Sequence, residues 1–134
     1  MCTGRGRTPA CGGSGYDVKT NAWVSGPSHA AWAGSLGSAP SVALPQEPGG
    51  TPVIAWEGPY PNGLWWNSFG TARASQIPGM GPLGSAPSIA WAGQHPGDYY
   101  IFWKGRNDYL HEAYYNSSTH SWSRIAFPQM GLLG

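Results

Sequence analysis

The chain has 134 residues and a formal net charge of +1, with 21 Gly, 13 Pro, 8 Trp, 7 Tyr and 3 Phe. So much Gly and Pro without periodicity would indicate disorder, but these aromatics can bury enough surface to offset the ordering entropy. Beyond residue 15 five basic residues face six acidic ones, so there is no basic stripe for nucleic acid. No run approaches the roughly 18 apolar residues of a membrane span, so no membrane insertion is expected.

In chain order, residues 1–15 (MCTGRGRTPACGGSG) have no strand or helix periodicity and no apolar h-region. They are expected to be a flexible leader, or an artefact of where the reading frame opens. Cys2 and Cys11 both lie there. Two cysteines can pair in an exported protein, but they define neither a disulfide framework nor a zinc site. YDVKTNAW (16–23) begins an outer hairpin, which we assign to residues 16–35 as part of an incomplete unit.

A whole unit is expected over residues 36–82. It opens with LGSAPS, continues through the β-rich Pro52-Val53-Ile54-Ala55-Trp56, turns at EGPYPNG and resumes as LWWNSF (64–69). Its fourth strand is degenerate, because GTARASQIPG carries no Trp where the next unit has one. Residues 83–134 repeat the plan: LGSAPS recurs with an offset of 47 (83 − 36), followed by YYIFWKG, LHEAYY and SWSRIAF. YNSSTHSW (115–122) repeats the Tyr-to-Trp spacing of residues 16–23, and the closing MGLLG resembles the MGPLG at 80–84. Glycine after Trp56-Glu57 and after Trp103-Lys104 is expected to supply a positive φ in each hairpin turn.

Four short strands per unit of about 45 to 50 residues is the arithmetic of a β-propeller blade. The expected fold is therefore all-β: a propeller-type repeat of four-stranded blades, about two and a half of them in this chain. Such blades bury their faces on neighbours, and rings typically close with about 4 to 8. A homo-oligomer, or a longer propeller chain, is accordingly expected.

The unit LGSAPSIAW, YYIFWKGRNDYLHEAYY, SWSRIAFPQMG resembles the blade repeat of bacterial β-propeller lectins. The nearest resemblance is to the fucose-binding Photorhabdus-type family, with tectonin and tachylectin propellers more distant. It covers residues 16–134 and is strongest in 80–123. The resemblance implies a secreted, multivalent propeller that binds glycans such as fucose in the clefts between blades, without a cofactor. The first unit departs from it, with Trp56-Glu57-Gly58-Pro59 where the family has Lys-Gly-x-x-Asp. Such repeats also occur as modules on secreted enzymes, so a structural or protein-interaction module is the alternative.

Sugars stack their C–H faces on aromatic rings and hydrogen-bond through their hydroxyls. The second unit supplies candidates for both: Trp91, Trp103 and Tyr115 as stacking or wall residues, and Lys104, Asp108 and His111 as polar partners. Each also has a structural reading: the rings as core between blades, Asp108 as turn chemistry, Lys104 as a solvated strand end, and His111 as a satisfied strand residue. Glu112, next to His111, must face the other side of its strand. No catalytic residues are expected. The six carboxylates do not recur as an opposed pair, no Ser–His–Asp order or G-x-S-x-G elbow appears, and the four His lack metal-ligand spacing.

Overall fold

A computed structural model describes residues 2–3, 10–17, 19–29, 36–45, 50–59, 63–68, 73–93 and 95–127. For 2–3, 10–17 and 23–29 it gives the backbone path alone. The described residues form three antiparallel sheets and no helix. The first contains β1 (Cys2–Thr3), β2 (Ala10–Asp17) and β3 (Ala22–His29). The second runs β4 (Ser41–Ala43), β5 (Val53–Glu57), β6 (Leu64–Ser68), β7 (Ser75–Gln76). The third runs β8 (Ser88–Trp91), β9 (Tyr99–Lys104), β10 (Leu110–Asn116), β11 (Ser121–Phe127). The all-β expectation holds, and each four-stranded sheet is a meander in chain order.

Residues 10–15, set apart by sequence as leader, instead lie in β2, and Cys2 stands opposite Cys11 in the β1–β2 register. A strand built from Gly12, Gly13 and Gly15 pairs through its backbone, yet it has no side-chain alternation to reveal it. Its pairing with β3 shifts register at Gly13/Gly15 and Gly15/Tyr16. Tyr16 then stands opposite Trp23, as Tyr115 stands opposite Trp122. The two turns match as well: Asn21 has φ 52° and His120, at the same turn position, has φ 53°.

The duplicated hexamer makes the same bonds twice. Gly37 N–H donates to Glu57 O and Gly84 N–H to Lys104 O, both at 2.7 Å. Ser38 Oγ accepts the Glu57 N–H at 3.1 Å, and Ser85 Oγ accepts the Lys104 N–H at 3.0 Å. Each strap therefore satisfies both backbone groups of a residue at the end of the second strand. Its glycine is required by space, since a Cβ on Gly37 would meet Gly58 O at 2.7 Å and one on Gly84 would meet Gly105 O at 2.6 Å. The leucine ahead of each strap, Leu36 or Leu83, is buried.

The turn glycines act differently from expectation. Neither Gly58 nor Gly105 has a positive φ; a Cβ there would strike the Trp65 indole or the His111 imidazole respectively. These rings occupy the same place in the two sheets, Trp65 opposite Trp56 and His111 opposite Trp103. In the second turn the left-handed residue is Asp108, φ 61°, a residue type that tolerates this conformation.

The core lies between the four-stranded sheets. Strand alternation turns Tyr99, Ile101 and Trp103 of β9 to one face, where they pack with Ala43, Val53, Ala55 and Leu64 of the other sheet. Leu83 and Ile89 complete this contact from the second strap and β8. Ser41 ties the first strands of the two sheets together by accepting the Ile89 N–H at 3.1 Å. The opposite face of β5 buries Ile54 and Trp56 with Leu36. The opposite face of β9 and β10 carries Tyr100, Phe102 and Tyr114, half-buried, with Tyr100 and Tyr114 centroids 5.0 Å apart. Ile125 beside them on β11 is 49% exposed.

Candidate functional site

A row of aromatic residues crosses the third sheet at one level: Trp91 opposite Tyr99, Tyr99 opposite Tyr115, Tyr115 opposite Trp122. Trp66 of β6 reaches this row from the neighbouring sheet, its ring 5.3 Å from Tyr115 and 5.4 Å from Trp122. The rings do not fill the seam. A cleft of about 390 Å³ opens there, within the range of about 300 to 1,000 Å³ usual for ligand pockets. Trp66, Trp91, Tyr99 and Tyr115 supply its apolar wall, and Thr51, Ser68, Ser117 and His120 its polar groups.

One wall is held by a buried carboxylate. Asp98, 1% exposed, accepts the Tyr114 hydroxyl at 2.5 Å and the Ser117 N–H at 2.8 Å, with Ser117 Oγ at 2.7 Å. Ser117 Oγ also lies 3.0 Å from Pro96 O. These bonds join the β8–β9 loop to the β10–β11 turn, and Gly97 and Ser117 from these segments line the cleft. Burial alone would raise the Asp98 pKa, but the hydrogen bonds from Tyr114 and Ser117 outweigh it and hold it below the ordinary value. The same bond, the largest influence on Tyr114, pushes its pKa up to about 12. Asn116 Oδ1 accepts the Ser118 and Thr119 N–H groups at 2.9 and 3.1 Å, a common turn role for Asn.

The six residues singled out from sequence do not form one site. Trp91 and Tyr115 line the inter-sheet cleft. Trp103 and His111 lie at the other end of the seam, because Trp103 is four residues along β9 from Tyr99, roughly 13 Å at a strand's rise. There the two rings stack at 5.6 Å and 15° and line a separate pocket of about 240 Å³. Trp103 is 3% exposed, so most of its surface packs in the core. His111 is buried too, with Nε2 3.1 Å from Asn107 Oδ1. Burial, and after it the Arg124 charge, lowers its pKa and favours the neutral ring. Lys104 and Asp108 pair with each other across the turn at 3.1 Å. Glu112 faces away from His111, and burial raises its pKa.

Sequence reading notes Trp65 and Trp66 of the first unit as suited to stacking, and misses Tyr99, Ser117 and His120 as cleft residues. Trp66 lies in the first unit, and its place in the cleft depends on the sheets being face to face. The placement of Tyr99 and Trp103 was accessible by register, since four positions along a strand keep a face but change the end. Searches of protein-family models and of curated proteins find no match to this chain.

Proposed function

We propose that the chain is part of a β-propeller-type carbohydrate-binding protein that takes neutral monosaccharides, fucose among them, in a cleft between blades. The observation that carries this reading is the 390 Å³ cleft, where four aromatic rings from two sheets meet hydroxyl and imidazole groups. Flat rings suit the C–H faces of a sugar, and Ser68, Ser117, Thr51 and His120 supply partners for its hydroxyls. Among the described residues no Asp, Glu, Lys or Arg lines the cleft, which fits an uncharged ligand.

The propeller part of the proposal rests on the repeat. The two sheets pack face to face with their first strands side by side, and Ser41 links β4 to β8. Under the 47-residue offset, the Val53/Ala55 face that receives the third sheet corresponds to the Tyr100/Phe102 face of that sheet. That half-buried aromatic face suits a further blade, supplied by another copy or by a longer chain. A ring of such blades would present several weak sites together, and avidity would exceed single-site affinity. Action outside the cell on surface or secreted glycans belongs to the same proposal.

A scaffold module is the second reading, favoured by the difference between units: β7 has two residues against seven in β11, and Trp65 stands where His111 does. Glycan-array screening of the chain beside Trp66→Ala separates the two. The lectin reading expects fucosylated or other neutral glycans to be retained by the parent chain and lost by the variant. An array blank for the folded parent chain would favour the scaffold.

A further inference from the structure

The pocket at the far end of the seam differs in chemistry from the cleft. Its lining includes Trp103, His111, Asn107 and two arginines, Arg106 and Arg124. Among the described residues no carboxylate lines it. Asp108 in the adjoining turn pairs with Lys104 at 3.1 Å, and Glu57 of the neighbouring sheet feels the Arg106 charge. Arg124 uses one N–H on Gly79 O at 3.0 Å, leaving four of its five donors for other partners. Arg106 makes no hydrogen bond to another described residue. Burial, and after it the Arg124 charge, lowers the His111 pKa, and among the described residues its buried Nδ1 has no hydrogen-bond partner.

Two arginines lining a small cavity, with no anion among its described lining residues, suit an oxyanion, which a planar fork of N–H donors can grip bidentately. We propose that this pocket is an anion subsite for the sulfate ester or carboxylate of an acidic saccharide, held between Arg106 and Arg124 with Asn107 and the Trp103 edge of the pocket beside the sugar. It depends on the carbohydrate reading for the sugar that carries the anion, whereas the grip on the anion stands on the pocket alone.

Calorimetric titration of the full chain tests it with four probes: a sulfated disaccharide, an unsulfated uronic-acid disaccharide, inorganic sulfate and fucose. At least one acidic disaccharide is expected to bind, and its affinity to fall about tenfold or more in the Arg106→Ala/Arg124→Ala double variant. Both side chains are exposed, so a thermal melt is expected to match that of the parent. Which disaccharide binds distinguishes ester from carboxylate. Independently, the His111 imidazole followed by NMR is expected to show a higher pKa when the anion is bound, because the anion offsets Arg124. Acidic disaccharides that fail to bind, that bind no better than inorganic sulfate, or that bind the double variant within twofold of the parent would overturn the proposal. Fucose titrates the cleft separately: failure there alone counts against the carbohydrate cleft and leaves the anion grip standing.

Discussion

The two four-stranded sheets begin alike and end differently. Their straps make the same pair of bonds, 2.7 and 3.1 Å in one and 2.7 and 3.0 Å in the other, around the same second strand. Beyond that strand the resemblance fades. Trp65 replaces His111 on the third strand, and the seven-residue β11 has only the two residues of β7 as its counterpart. Asp98, which locks a loop to a turn in one sheet, corresponds to an exposed Thr51 in the other. The strap thus builds the inner half of each unit, while the outer half and its loops shape the seam.

The largest effects should test the shared half. Trp56→Ala and Trp103→Ala each remove a buried indole from the same place in its sheet, and each is expected to cost about 3 to 5 kcal/mol in chemical denaturation. Costs differing by more than half would show that the two positions are not structurally equivalent. Asp98→Ala sharpens the contrast between the outer halves. It leaves the Tyr114 and Ser117 donors unpaired and is expected to cost about 3 kcal/mol, whereas Thr51→Ala should stay within about 0.5 kcal/mol. Smaller still, Ser38→Ala and Ser85→Ala each leave a strand-end N–H without its partner. A matched loss of about 1 to 2 kcal/mol is expected for the two, read from thermal melts.

The gentlest probe is pH, and it acts through the second unit. His111 has a folded pKa below its unfolded value near 6.5, so its contribution is complete above about pH 6.5 and is lost as pH falls below it. The Asp98 pKa is also depressed in the fold, so that contribution is complete above about pH 3.9 and is lost on further acidification. Urea midpoints measured across pH should therefore decline in two stages. His111→Gln should remove the first stage and Asp98→Asn the second. A pH profile unchanged by both substitutions would contradict these assignments.

Much of this fold was readable because strands such as β5, β6 and β9 are runs of β-branched or aromatic residues near Gly or Pro turns. YYIFWK alternates buried and half-buried along β9 as its pattern requires. The β2 strand was not readable, since Gly12, Gly13 and Gly15 have no side chain to alternate. The turn glycines were noticed for the wrong reason, because only packing reveals that Trp65 and His111 press on them. The candidate site was half legible. Trp91 and Tyr115 belong to the cleft, but the wall opposite them is Trp66, on another sheet, and no spacing within one unit points to it.

The claim that the seam between the sheets binds a neutral sugar is tested most directly by saturation-transfer NMR with fucose. On the parent chain, the sugar's ring and methyl C–H protons should receive saturation from the aromatic wall, and in Trp66→Ala that transfer should fall to background while the fold persists. Absence of transfer to fucose and to a panel of other neutral monosaccharides, or transfer undiminished in Trp66→Ala, would contradict the account.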